Sequence, residues 1–184
     1  MKKNTADETI HQGSDCQSSG SNRLIFPKVN ITHPTEIQKA WIEFLTPLPW
    51  QWFATLTFHR EVHPEQADKR YRRWVRHLNE DVYGRRFREK GLGIFWTKAI
   101  EFQRRGVQHF HALLGPGDLS KFNHFDYMNL WYNEGNGFAR IYPYDSEKVL
   151  WYVSKYVIKG GEIDIFLPPS YKDREKMLSL SLLP

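Results

Sequence analysis

The chain has 184 residues, a formal charge of +5 and a single cysteine, Cys16. That length suits one domain with a substantial core, and the lone cysteine excludes both an intrachain disulfide framework and a cysteine-based zinc site, in keeping with a reducing compartment. No apolar run approaches a membrane span and the polar N-terminus does not read as a signal peptide, so the expected setting is cytoplasmic, with no membrane partner.

Residues 1–22 are Ser, Asp, Gln, Asn and Gly with almost nothing to bury, which predicts a disordered tail. Residues 23–166 read as the folded domain and 167–184 as a C-terminal tail, where Leu180, Leu182 and Leu183 offer a docking face for the domain or a partner. Within the lead-in, Ile37, Ala40, Trp41 and Phe44 recur at helical spacing before Pro47 and Pro49 end the stretch. Trp50 to Phe58 (WQWFATLTF) is aromatic and β-branched with alternation, and predicts a strand.

Pro64 to Tyr83 is the clearest helix. Ala67, Tyr71, Trp74, Val75, Leu78 and Val82 form one apolar stripe, and Lys69, Arg72, Arg73 and Arg76 lie away from it. From Lys69 to Lys90 there are nine Lys and Arg residues against Asp68, Glu80, Asp81 and Glu89. Such a cluster is either a phosphate-binding surface or a solvated helix face, and charge alone does not separate the two.

Gly93 to Phe102 and Val107 to Gly115 read as strands joined at Arg104-Arg105-Gly106, a short loop ending in glycine that signals a hairpin. A helix from about Asn123 to Tyr132 and a strand from about Gly137 to Tyr142 follow. Asp145 or Ser146 then caps a helix that stops at Gly160-Gly161, and Glu162 to Phe166 is a last short strand. Irregular alternation with a tight hairpin predicts an α+β domain, its sheet mainly antiparallel and flanked by helices.

Chemistry concentrates in two places. In His109-Phe110-His111 the side-chain period of two sends both imidazoles to one face, about 7 Å apart, while Phe110 packs on the other. If residues 104–106 form a three-residue loop, Gln103 pairs with Val107 and Glu101 falls opposite His109, completing a two-histidine, one-carboxylate set; a one-residue slip would turn Glu101 away. Nitrogen and oxygen donors with open positions suit Mn²⁺ or Mg²⁺ at a phosphate, and also admit Zn²⁺ or Co²⁺. The plain alternative is a cross-strand Glu–His hydrogen bond on a polar face.

In the helix after Ser146, Tyr152, Lys155, Tyr156 and Lys159 share a face distinct from the buried Val149, Leu150, Val153 and Val157. Phenols beside ammonium groups are candidate nucleophiles, because cations favour phenolate. They are equally half-buried core tyrosines with solubilising lysines. Thr55 and Thr57 read as sheet-filling residues near the site. His59, His63, His77 and His124 match no ligand pattern and suit surface or capping roles.

The order FATLTF (53–58), HFH (109–111) and YVSKYVIK (152–159) resembles the three motifs of the HUH rolling-circle replication initiators, over about residues 50–161. The doubled tyrosine resembles the two-tyrosine branch of small phage and plasmid initiators. The resemblance implies an RRM-like or ferredoxin-like central sheet of about five antiparallel strands, with the HFH strand in its middle. It further implies metal ligation by His109 and His111, with Glu101 in the place of the acidic third ligand, and a nucleophile at Tyr152 or Tyr156 beside Lys155 and Lys159. The activity implied is nicking and joining of single-stranded DNA or an origin hairpin through a 5′-phosphotyrosine, which initiates replication in a prokaryotic host. Lys69, Arg72, Arg73, Arg76, Arg104 and Arg105 would then hold DNA. No Gly-x-x-x-x-Gly-Lys-Ser/Thr loop is present, so unwinding and extension would fall to a host helicase and polymerase. Transposases and mobilisation relaxases share this chemistry, and a non-catalytic RRM-like binding module shares the sheet.

Overall fold

The computed structural model describes residues 35–103, 106–116, 118–144 and 163–171. The expected N-terminal tail, Arg104 and Arg105, the helix carrying Tyr152, Lys155, Tyr156 and Lys159, and the C-terminal leucines lie outside the described residues. The described elements are α1 (Glu36–Leu45), β1 (Trp52–Thr57), α2 (Pro64–Tyr83), β2 (Phe95–Phe102), β3 (Gln108–Gly115), a 3-10 turn at Leu119–Lys121, α3 (His124–Asn133), β4 (Ala139–Pro143) and β5 (Ile163–Phe166). All strand pairs are antiparallel in the order β4-β1-β3-β2-β5, so the sheet has five strands with the His-x-His strand at its centre. This is the α+β architecture that the sequence predicts.

The ends of α2 are where its sequence puts them. Pro64 occupies the first turn, where its missing N–H costs nothing, and Gly84 ends the helix at φ +81°. Its stripe of Ala67, Tyr71, Trp74, Val75 and Leu78 is buried, with Val82 half-buried at the end. Asn79 joins that stripe: its amide donates to the Val75 carbonyl (2.9 Å) and its oxygen accepts from the Ile94 N–H (2.7 Å), fastening α2 to the start of β2.

One face of the sheet meets α2 and α3. Trp52, Ala54, Leu56, Trp96, Phe110, Ala112, Leu114 and Ile141 form a common core with Tyr71, Trp74 and Trp131. Rings meet edge to face, as Tyr71 on Trp96 (5.0 Å) and Phe58 on Phe110 (5.6 Å). The indole N–H groups of Trp74 and Trp131 donate to the carbonyls of Tyr127 and Thr57, each at 2.9 Å, so this aromatic core pairs both donors.

α1 departs from its expected orientation. Thr35 caps it, accepting from the Gln38 N–H at 3.2 Å. Yet Ile37 and Phe44 are exposed, while Gln38 and Leu45 are buried. The helix is held at its C-terminal corner, where the Trp50 indole donates to the Leu45 carbonyl (2.8 Å) and packs edge-on against Phe95. That corner, not the apolar periodicity, decides which side faces inward. β4 likewise begins at Ala139 rather than Gly137, because Gly137 lies against the Thr57 carbonyl so closely that a Cβ would collide with it.

Lys98 is buried on the helix-covered face, which the sequence reading did not anticipate. Its ammonium lies 2.5 Å from Asp68 and 3.6 Å from Asp164, and 4.9–5.7 Å from the ring centroids of Phe110, Tyr71 and Trp96. Arg72 bonds the same two carboxylates, at 2.7 and 2.9 Å. The network therefore ties α2 to β2 and β5.

Burial alone would raise the Asp68 carboxyl, but hydrogen bonds from Lys98 and Arg72 outweigh it and hold the group below its ordinary value. A carboxyl depressed in the folded state adds stability that is complete above its unfolded value, about 3.9, and is lost as pH falls through the folded one. Asp68→Asn is expected to lower stability in urea unfolding at neutral pH by about 2 kcal/mol. The gap to the parent should close as pH drops below about 4; a gap that stays constant into that range would show that the pair contributes no acid-labile stability.

Candidate metal centre

β3 has strands on both sides, so each of its residues has two cross-strand neighbours. His109 lies between Thr57 and Glu101, and His111 between Thr55 and Ala99. Phe110 sits in the helix-covered core, which leaves His109 and His111 on the opposite face. Glu101 reaches that face through the hairpin: the Gln103 N–H donates to the Val107 carbonyl and the Gly106 N–H to the Gln103 carbonyl, each at 2.9 Å. Gly106 adopts φ +78°, a conformation glycine takes without strain. The register expected from a three-residue loop is the one observed.

The three donors converge. His109 Nε2 lies 2.8 Å from His111 Nε2, and Glu101 Oε2 lies 3.1 and 3.3 Å from the two imidazole nitrogens. Neighbouring ligand atoms of an octahedral ion bound at about 2.1 Å stand about 3 Å apart, so this triangle matches one face of such a coordination shell. Glu101, His109 and His111 could therefore hold a metal ion. Burial is graded: the side chain of His111 is 3 % exposed, His109 12 % and Glu101 26 %.

Thr55 positions the most buried ligand. Its Oγ1 is 3.1 Å from His111 Nδ1. When Nδ1–H donates to that hydroxyl, Nε2 keeps the lone pair a metal requires. Phe53 stacks parallel to the same imidazole, with centroids 6.1 Å apart. The sequence treats Thr55 as sheet filling; the available signal was its place at an alternate position of a strand that pairs with the His-x-His strand.

The α2 cations lie elsewhere. α2 covers the face opposite the triad, and Arg72 joins the Asp68–Asp164 network. Arg73 pairs with Glu134 at 3.0 Å and Arg76 with Glu80 at 3.6 Å, while Lys69 is exposed with no ion pair among the described residues. His63 precedes α2 at its cap, His77 lies 3.6 Å from Glu134, His124 opens α3, and His59 packs edge-on against Tyr132 and Phe138. No helix among the described residues is long and apolar enough to cross a membrane.

Residues 51–161, well over half of the chain, match the family model described as replication-associated protein ORF2. The matched span includes FATLTF, the His-x-His strand and the Tyr152–Lys159 segment. No curated protein and no solved structure matches the chain.

The role of Thr55 is separable from the ligands themselves. Thr55→Val keeps the shape and removes the hydroxyl, and is expected to weaken Mn²⁺ binding by about tenfold in calorimetric titration while Glu101, His109 and His111 remain. Unchanged affinity in a variant that melts like the parent would remove Thr55 from the site.

Proposed function

The chain belongs to the ORF2 family of replication-associated proteins, and from that premise we propose that it is an HUH endonuclease of the two-tyrosine type, which nicks and rejoins single-stranded DNA to initiate rolling-circle replication. The observation that carries this reading is the convergence of Glu101, His109 and His111 on one face of the central strand. A nuclease that works on a phosphodiester needs positive charge beside the scissile group, and a replication-associated protein needs a free 3′-hydroxyl for a polymerase to extend. One centre can serve both needs.

The donor set suits Mn²⁺ or Mg²⁺, and an ion held there would supply Lewis-acid polarisation of a phosphate oxygen and offset charge gained in the transition state. The phenolate oxygen of Tyr152 or Tyr156 attacks phosphorus in line. A P–O bond to the tyrosine forms, the bond to the 3′-oxygen breaks, and that oxygen takes up a proton as the free 3′-hydroxyl. Lys155 and Lys159 favour the phenolate and neutralise phosphate charge. The phosphodiester energy is kept in the 5′-phosphotyrosine, so resealing needs no nucleotide cofactor. A second tyrosine allows a second cut while the first still holds the old end.

Lys69, Arg72, Arg73 and Arg76, with Arg104 and Arg105, would hold backbone beyond the cleavage point, and the binding would fall with salt. Unwinding and extension would come from a host helicase and polymerase.

Incubation of the full chain with Mn²⁺ and origin-like single-stranded DNA is expected to give a protein–DNA species that survives SDS. Glu101→Gln, or EDTA, should abolish it. Tyr152→Phe and Tyr156→Phe should each reduce it and the double variant should lack it. An adduct in the double variant would refute both tyrosines as nucleophiles. Binding of the strand without any adduct in the parent would leave a non-catalytic nucleic-acid-binding module.

A further inference from the structure

The metal face does not end at the triad. Across β1 the register continues to the edge strand: His111 faces Thr55, and Thr55 faces Arg140 of β4. Ala139 and Ile141 are buried in the helix-covered core, which sends Arg140 to the metal face, exposed and with no ion pair among the described residues. Two residues on, Tyr142 pairs with Phe53 and is half-buried on the same side. Two strand spacings separate Arg140 from His111, about 10 Å of backbone and within reach of adjacent parts of one substrate.

Two residues before Arg140, Phe138 is 67 % exposed, the most exposed large apolar side chain among the described residues. It is nonetheless firmly held. Its carbonyl accepts from both the N–H (2.8 Å) and the hydroxyl (2.7 Å) of Thr57, the residue opposite His109. Its ring stacks on Tyr132 with centroids 5.8 Å apart and meets His59 edge-on at 5.5 Å. The close approach of Gly137 to Thr57 limits how far this segment can shift. A rigid aromatic surface open to water is unfavourable unless something covers it.

We propose that Phe138, Arg140 and Tyr142 form a track for single-stranded DNA flanking the scissile phosphate, with Arg140 on a phosphate and the rings of Phe138 and Tyr142 against bases. This rests on the nicking reading above and adds where the strand runs. Alternate residues of a strand recur about every 7 Å, so aromatic, cation and aromatic follow one another as bases and phosphates do along an unpaired strand. A duplex keeps its base faces stacked and offers nothing to Phe138. A single strand is therefore the occupant that uses all three side chains.

The test is fluorescence anisotropy with a labelled oligothymidylate strand in EDTA, so that cleavage does not contribute. Phe138→Ala is expected to weaken binding about tenfold, while Phe138→Trp restores it and affinity for a labelled duplex stays within about twofold of the parent. Arg140→Gln should reduce the slope of log affinity against log salt by about 0.7, the loss of one phosphate contact on a single strand. Each variant should melt with the parent, since both side chains are exposed. Unchanged single-strand affinity and salt slope would overturn the track, and so would equal losses on single strand and duplex. The parent's adduct assay separates this outcome from the nicking reading. An adduct with unaffected binding in the variants leaves nicking and removes the track. Loss of binding in the variants without any adduct in the parent leaves the track and removes nicking.

Discussion

The register of the β2–β3 hairpin is the constraint on which both faces of the sheet depend. Gly106, at φ +78°, closes a loop in which Gln103 and Val107 pair, and every pairing from Phe102–Gln108 to Phe95–Gly115 follows from it. Because side chains alternate, the same register puts Glu101 with the imidazoles and Lys98 among the aromatic rings of the other face. A slip by one residue would exchange them. The carboxylate would enter the aromatic core without a cation, and the ammonium would meet two imidazoles. Both are costly, so two unrelated charge clusters reinforce one pairing.

The faces divide the work. On the helix-covered side, Lys98 with Asp68, Asp164 and Arg72 joins three elements that are distant in the chain, and the Trp74 and Trp131 indoles are paired to carbonyls. That layer fixes the sheet's twist and leaves the other side for chemistry. There, exposure rises from His111 to His109 to Glu101. A buried imidazole, oriented by Thr55 and Phe53, supplies a fixed ligand at the sheet's centre. The carboxylate at the open end is where a phosphate oxygen or water has room to exchange.

What could be read from sequence was local. α2 carried a long apolar stripe with Pro64 to start it and a glycine to stop it, so its ends were visible. The triad was visible because a short loop fixes cross-strand partners without knowledge of the rest of the fold. Thr55 was not, since its partner His111 is 56 residues away and the pairing of β1 with β3 cannot be read from either strand alone. Lys98 was hidden for the same reason, with Asp68 30 residues off on a helix. The exposed stripe of α1 shows the converse: a short helix held by one corner need not bury its most apolar side.

Charge makes the same point for nucleic-acid binding. The cations of α2 stand out in the sequence because they cluster, but a helix brings each arginine within reach of acids a turn away or on a neighbouring element. Arg72, Arg73 and Arg76 all have such partners. Clustered charge on a helix is therefore partly neutralised by the structure that displays it. Arg140 stands alone in its strand, flanked by two core residues, and carries no ion pair among the described residues. It also shares a face with the metal ligands, which α2 does not. What attracts a phosphate is the charge left unpaired on the face where the substrate lies, and by that measure one arginine on an edge strand outweighs a basic helix behind the sheet.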